Sequence, residues 1–143
     1  MKIDELLNYA LESGASDLHL SVGSTPMVRI NGTMHPLKLD VMTQETMESI
    51  LPQVLSDDQV SRFRKEKEID FSTKLDGKGR FRVNFFSQLN GIAGVFRTIP
   101  DVIKSFEDLG IPPMIKDLSL KNRGLILLTG PTGSGKSTTL ATM

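Results

Sequence analysis

The sequence predicts an α+β domain followed by the opening of an α/β domain, and three observations carry that expectation. Apolar residues recur at helical spacing in three places before residue 65. Two Asn-Gly pairs, Asn31-Gly32 and Asn90-Gly91, each lie between strand-like runs, the strongest short hairpin signal because a type I′ turn needs positive φ at both central residues. Near residue 125 a continuous apolar run meets a glycine-rich turn, the pattern of a strand buried on both faces of a parallel sheet. The first two features fill residues 1–100, the third occupies residues 124–143, and residues 101–123 join them.

Taken in order, Ile3, Leu6, Leu7, Ala10 and Leu11 form one stripe of a helix, with Gly14 placed for a left-handed cap. Leu18, Leu20 and Val22 alternate with Asp17, His19 and Ser21 as in a half-buried strand, until Gly23-Ser24-Thr25-Pro26 breaks it. Strands flank Asn31-Gly32, and Pro36 puts the second of them at an edge or ends it. Thr43 caps a helix bearing Met47, Ile50, Leu51, Val54 and Leu55, which Pro52 is expected to kink or to end near Leu51. Ser56 and Gln59 make a capping box for a short helix that turns Val60 and Phe63 inward. Residues 69–73 read as a strand, Asp76-Gly77-Lys78-Gly79 as a turn, and residues 80–88 and 92–99 as a hairpin that Pro100 stops. The joining segment holds Pro112-Pro113 with Phe106, Leu109, Met114, Ile115 and Leu118, a composition of short docked helical pieces at a hinge rather than a flexible linker.

Composition narrows the chemistry. The 143 residues carry 17 basic and 17 acidic side chains, which disfavours a nucleic-acid binder or a polybasic membrane anchor. The 38% apolar content argues against disorder. With no Cys, a disulfide scaffold, a thiol nucleophile and any zinc site needing sulfur are excluded, and His19 and His35 alone offer little to a metal. Met1-Lys2-Ile3-Asp4-Glu5 is not a secretory start, and the longest apolar stretch is four residues, so a soluble cytoplasmic protein without membrane insertion is expected. Charge is uneven along the chain. Residues 1–60 hold 3 basic and 9 acidic side chains, residues 61–82 hold 8 and 4. In that second stretch Arg62, Arg64, Lys65 and Lys67 read as a solvated helix face.

Behind the apolar run comes Gly130-Pro131-Thr132-Gly133-Ser134-Gly135-Lys136-Ser137, a full match to the phosphate-loop pattern G-x-x-x-x-G-K-[ST]. Glycines let successive backbone N–H groups converge on an anion, and the following helix adds the positive end of its dipole. Lys136 supplies a mobile charge to the β and γ phosphates, the Ser137 hydroxyl ligates the bridging Mg²⁺, and Thr138 offers its N–H to the α phosphate. ATP with Mg²⁺ is the expected cofactor.

Hairpin arithmetic isolates a second set. With Asn90-Gly91 as a two-residue loop, Leu89 opposes Ile92, Asn84 faces Arg97, and Arg82 lies one diagonal step away. Arg80, Arg82, Asn84 and Arg97 then share one sheet face, while Phe81, Val83, Phe85, Ile92 and Phe96 share the core face. Three arginines on one face repel unless neutralised, either by the acidic N-terminal region or by phosphate, which Arg contacts bidentately. His19, on the polar face beside Asp17, reads as a hydrogen-bonded structural residue rather than a catalyst, and the Met residues as packing.

Ala15-Ser16-Asp17-Leu18-His19-Leu20, Gly79-Arg80-Phe81-Arg82-Val83-Asn84, Phe96-Arg97-Thr98-Ile99-Pro100 and residues 124–139 together resemble the secretion-ATPase superfamily. Within it the likeness is greatest to the twitching-motility ATPases that power type IV pilus retraction. The stretch before Ser16 is short, which favours the retraction type over pilus-assembly and type II secretion ATPases, although a paralogous retraction ATPase fits nearly as well. The resemblance implies a PAS-like N-terminal domain over residues 1–100, a linker over 101–123 and the first strand, loop and helix start of a RecA-like ATPase domain over 124–143. It also implies a homohexamer on the cytoplasmic side of the inner membrane, partnered by the pilus platform protein. Residues 130–138 would hold the nucleotide, and Arg82 and Arg97, with Arg80 as a third, look like the arginines that family members bring to the phosphates.

The acidic box, the second Mg²⁺-coordinating acid, the histidine box and the rest of the sheet that the family places later lie beyond Met143. One strand and a helix stub cannot bury their apolar faces. The expectation is that residues 1–100 fold, that those from about 113 onward are held non-natively, disordered or held by another copy, and that these residues alone do not hydrolyse ATP. The rival readings are a non-catalytic adaptor or sensory module with a vestigial phosphate loop, and a P-loop kinase or GTPase.

Overall fold

The structure, a computed structural model, describes residues 2–99, 105–131 and 134–143. The chain divides into two compact units, Met1–Pro100 and Asp101–Met143.

In the first unit, α1 (Ile3–Glu12) buries Ile3, Leu6, Leu7 and Ala10, the predicted stripe. β1 (Asp17–Ser21) pairs with β2 (Met27–Ile30), which pairs with β3 (Thr33–Pro36) across Asn31 (φ 50°) and Gly32 (φ 83°), both positive as a type I′ turn requires. Thr43 caps α2 (Gln44–Val54) by accepting from the Thr46 N–H at 3.1 Å, and Ser56 and Gln59 close the capping box of α3 (Asp57–Glu66). α2 does not end near Leu51. It runs past Pro52 to Val54, because a proline this close to the end removes little of the ladder, and the Gln53 side chain donates to the Ser49 carbonyl at 2.9 Å in the same turn. β4 (Glu68–Leu75), longer at both ends than the predicted 69–73, then β5 (Gly79–Gln88) and β6 (Gly91–Ile99) complete an antiparallel sheet of order β3-β2-β1-β6-β5-β4. Pro36 thus ends an edge strand, where its missing N–H costs no ladder bond.

The β5–β6 register departs from the hairpin arithmetic. Gln88 pairs with Gly91, so Leu89 and Asn90 form the turn, Arg82 lies directly opposite Arg97, and Asn84 faces Val95. Positive φ falls on Gly91 (126°), not on Asn90. Tertiary contact selects this turn: a Cβ on Gly91 would lie 2.5 Å from Gln44 Oε1, and that oxygen accepts from the Ile92 N–H at 3.3 Å. A slip of two residues leaves every side chain on its predicted face.

On the core face, Leu18, Leu20, Val28, Ile69, Phe81, Val83, Phe85, Ile92 and Phe96 meet the apolar stripes of the three helices. Phe85 is central: edge-to-face with Phe96 at 5.6 Å and against Phe63 and Phe71 at 6.2 Å. It lies over Gly94, its cross-strand partner, where a Cβ would sit 2.5 Å from its ring.

The second unit holds two one-to-two-turn helices, α4 (Pro113–Ser119) and α5 (Lys136–Thr142), neither burying a residue. The strand predicted over residues 125–129 does not form; Leu125, Ile126 and Leu127 are exposed, for an apolar run becomes a strand only where neighbours cover both faces. The predicted stop at Pro100 lies outside the described residues. Among the described residues no helix is long and apolar enough to cross a membrane.

Candidate functional site

Of the predicted loop, Gly130, Pro131, Ser134, Gly135, Lys136, Ser137 and Thr138 are described, whereas Thr132 and Gly133 lie outside the described residues. Gly135 (φ 87°) stands in the left-handed region directly before α5, and Gly130 (φ 150°) comes so near Ser134 that a Cβ would meet its Oγ at 2.8 Å. Side chains are thereby excluded from both ends of the turn. Lys136 folds back over the loop, its Nζ donating to the Gly130 carbonyl at 2.7 Å and the Pro131 carbonyl at 2.6 Å. Ser137 and Thr138, both exposed, follow in the first turn of α5, where backbone N–H groups lack intrahelical partners. These residues fit a nucleotide's phosphates: phosphate oxygens can replace the two carbonyls that now hold the ammonium. Among the described residues no group of three His, Asp or Glu could hold a metal ion.

The polar face of the sheet lies in the first unit and carries the arginines. One rung runs Arg29, Asp17, Arg97, Arg82 across β2, β1, β6 and β5. Asp17 is 4% exposed and accepts from Arg97 Nε at 2.9 Å and Ser16 Oγ at 2.9 Å, with Arg29 Nε at 3.4 Å. Burial pushes the Asp17 carboxyl up, but hydrogen bonds from Arg97 and Ser16 and the charges of Arg97 and His19 outweigh it and leave the group below its ordinary value. Arg82 is held differently. Asp70 on β4 grips its guanidinium as a fork, Nε to Oδ1 at 3.1 Å and Nη2 to Oδ2 at 2.7 Å. The hydrogen bonds lower Asp70 and raise Arg82. Of the two neutralising sources expected, the N-terminal region supplies Asp17 to Arg97, while Arg82 takes its acid from residue 70. Arg80 shares this face, opposite Lys74 and Ile99. Asp70, Arg82, Asn84, Val95 and Arg97 line one depression of about 280 Å³.

Asp70 escaped the sequence reading, although the turn at 76–78 contains the signal: pairing outward from Leu75 and Gly79 sets Asp70 against Asn84, one step from Arg82. His19 is also not as expected. Its Nε2 is fully buried and makes no hydrogen bond. Burial depresses its pKa, the Asp17 charge opposes this, and Arg29 and Arg97 add to the depression, so the net shift is below the ordinary histidine value. The basic face of α3 is solvated as read, with Arg62 paired to Glu66 at 2.8 Å and Arg64 to Glu48 at 3.4 Å.

All 143 residues match the profile of the family described as Type II/IV secretion system protein. The chain belongs to that secretion-system family. Its relatives include the type IV pilus retractation ATPase PilT of Pseudomonas aeruginosa, 45% identical over 143 residues, which are 100% of this chain and 42% of the relative. A twitching motility protein of Neisseria gonorrhoeae is 44% identical over 119 residues, 83% of this chain and 32% of the relative. Among solved structures, the pilus retraction motor PilT with bound ADP matches with a TM-score of 0.84 at 42% identity, over 100% of this chain and 42% of that one. The chain thus spans less than half the length of the secretion-family proteins it matches.

Proposed function

We propose that the chain is the ATP-binding part of a hexameric motor ATPase that powers type IV pilus retraction. Residues 1–100 form its PAS-like domain, 101–123 its linker, and 124–143 the start of a RecA-like ATPase domain. The observation that carries the reading is the glycine-lysine loop of residues 130–137, whose Lys136 ammonium is held on carbonyl oxygens that a phosphate can replace. The 45% identity to a retraction ATPase and the ADP-bound relative support it.

In this reading the backbone N–H groups and Lys136 bind and orient the β and γ phosphates, and Ser137 takes a place on Mg²⁺, which neutralises phosphate charge when bound. Arg82 and Arg97, with Arg80 beside them, are the further residues this reading assigns to phosphate. ATP-dependent conformational change of the ring then becomes force on the pilus through an inner-membrane platform protein, on the cytoplasmic side. The loop stretch, residues 124–143, contains no Asp or Glu to position water on a phosphate held there, so in this reading the 143 residues by themselves bind nucleotide without turning it over.

The test is titration with a fluorescent ATP analogue. Lys136→Ala is expected to weaken binding by roughly tenfold or more, the worth of a charge-assisted hydrogen bond. Equal affinity in a folded variant would overturn the reading, and so would phosphate release by the 143 residues that Lys136→Ala abolishes.

A further inference from the structure

Arg82 and Arg97 face each other across β5 and β6, yet their carboxylates differ, and we propose that Asp70 is a positioning residue that competes with a nucleotide's terminal phosphate for Arg82. The inference rests on the reading that the sheet's arginines meet the phosphates, and adds to it which arginine moves and what restrains it.

Two guanidinium groups directly opposed on a sheet repel, so each needs a counter-charge. Asp17 serves Arg97, and it is buried. Withdrawing Arg97 would leave the Oδ1 of a desolvated carboxylate without its donor, with only Ser16 and Arg29 on the other oxygen, which is costly. Asp70 serves Arg82, but its side chain is 44% exposed and that of Arg82 65%. When Arg82 leaves, water solvates the Asp70 carboxylate at little cost, and exposed ion pairs are weak. A phosphate presents the same two-oxygen edge to the fork with more charge. Both guanidinium groups line the depression of about 280 Å³, with Asp70 on its wall, so an anion entering it meets Arg97 fixed and Arg82 transferable. Asp70 thereby sets the discrimination between nucleotides with and without the terminal phosphate.

The experiment measures ATPγS and ADP affinities for the full-length protein and for Asp70→Asn, Arg82→Gln, the double variant and Asp70→Glu, each first checked for an unchanged melting temperature. Asp70→Asn is expected to tighten ATPγS roughly two- to fivefold, the range an exposed ion pair allows, with ADP little changed. Asp70→Glu restores a carboxylate and is expected to return affinity toward wild type. In the Arg82→Gln background the Asp70→Asn gain should disappear, apart from a long-range charge effect that 0.5 M salt screens, which a simple loss of negative charge would not explain. If Arg82→Gln weakens ATPγS but Asp70→Asn leaves it unchanged or weaker, the competition is wrong and the arginine contact stands. If Arg82→Gln leaves ATPγS affinity unchanged, the arginine contact itself fails and this inference fails with it.

Discussion

The first unit buries what its sequence pattern points inward, whereas the second exposes what its pattern would bury. Phe81, Phe85 and Phe96 have no solvent exposure, but Leu125 and Leu127 are 82% and 75% exposed, and no residue of α4 or α5 is buried. Both regions are rich in strand-forming residues; they differ in what each strand needs. β5 alternates, carrying its own polar face in Arg80, Arg82 and Asn84, so it needs cover on one side only, and the three helices provide it. An all-apolar run such as residues 125–128 has no face for water and stays irregular among the described residues. The largest expected effect therefore separates the two regions. Phe85→Ala should cost about 3–5 kcal/mol in denaturant unfolding of the whole chain, because it empties the aromatic cluster. Leu127→Ala should stay within about 0.5 kcal/mol, as for an exposed side chain. Comparable losses from both would break the comparison.

A narrower contrast lies inside the first unit, between the two arginine-carboxylate pairs. Asp17→Asn should destabilise by about 1–3 kcal/mol, since a buried carboxylate that accepts from Ser16 and Arg97 and pairs with Arg29 loses its charge and one acceptor oxygen, and thermal melts of the two proteins at pH 7 would measure it. Because the folded Asp17 carboxyl lies below its ordinary value, its contribution is complete above the unfolded value near pH 3.9 and fades as pH falls from there through the lower folded value. The gap between wild type and Asp17→Asn should close over that acidic window; a gap that closes near pH 6 would point to another group.

These pairs also mark where sequence reading reached its limit. Which side chains share a face follows from period two alone, so Arg80, Arg82 and Arg97 were legible as a set, and so was their opposition to Phe81, Val83 and Phe85. Which residue faces which depends on the turn, and Asn90-Gly91 carries a local signal that Gln44 and Val22 override from across the fold. Burial of Asp17 depends on Arg29 and Arg97 converging on it from positions distant in sequence, beside the adjacent Ser16, which no local pattern records. The pattern at residues 130–137 is readable in the sequence because its residue types occupy eight consecutive positions. The strand before it was not realised, because a strand is a property of its neighbours.

The smallest effect concerns His19, one rung from the Asp17 pair on the same face. Val95 on β6 and Met27 on β2 flank it, so its buried Nε2 has apolar neighbours on both adjacent strands and no acceptor to stabilise a second proton. Desolvation depresses its pKa more than the Asp17 charge restores it, and Arg29 and Arg97 push in the same direction as desolvation. The unfolded chain takes up a proton near pH 6.5 where the folded chain resists, so the unfolded state binds more protons and stability falls as pH drops through that value. His19→Gln cannot titrate. Its stability should therefore stay flat where wild type declines between pH 7 and 5, with the two curves drawing together as pH rises. If wild type instead gains stability relative to His19→Gln on acidification, Asp17 dominates the ring's environment, and the polar face is organised around an imidazolium rather than a neutral histidine.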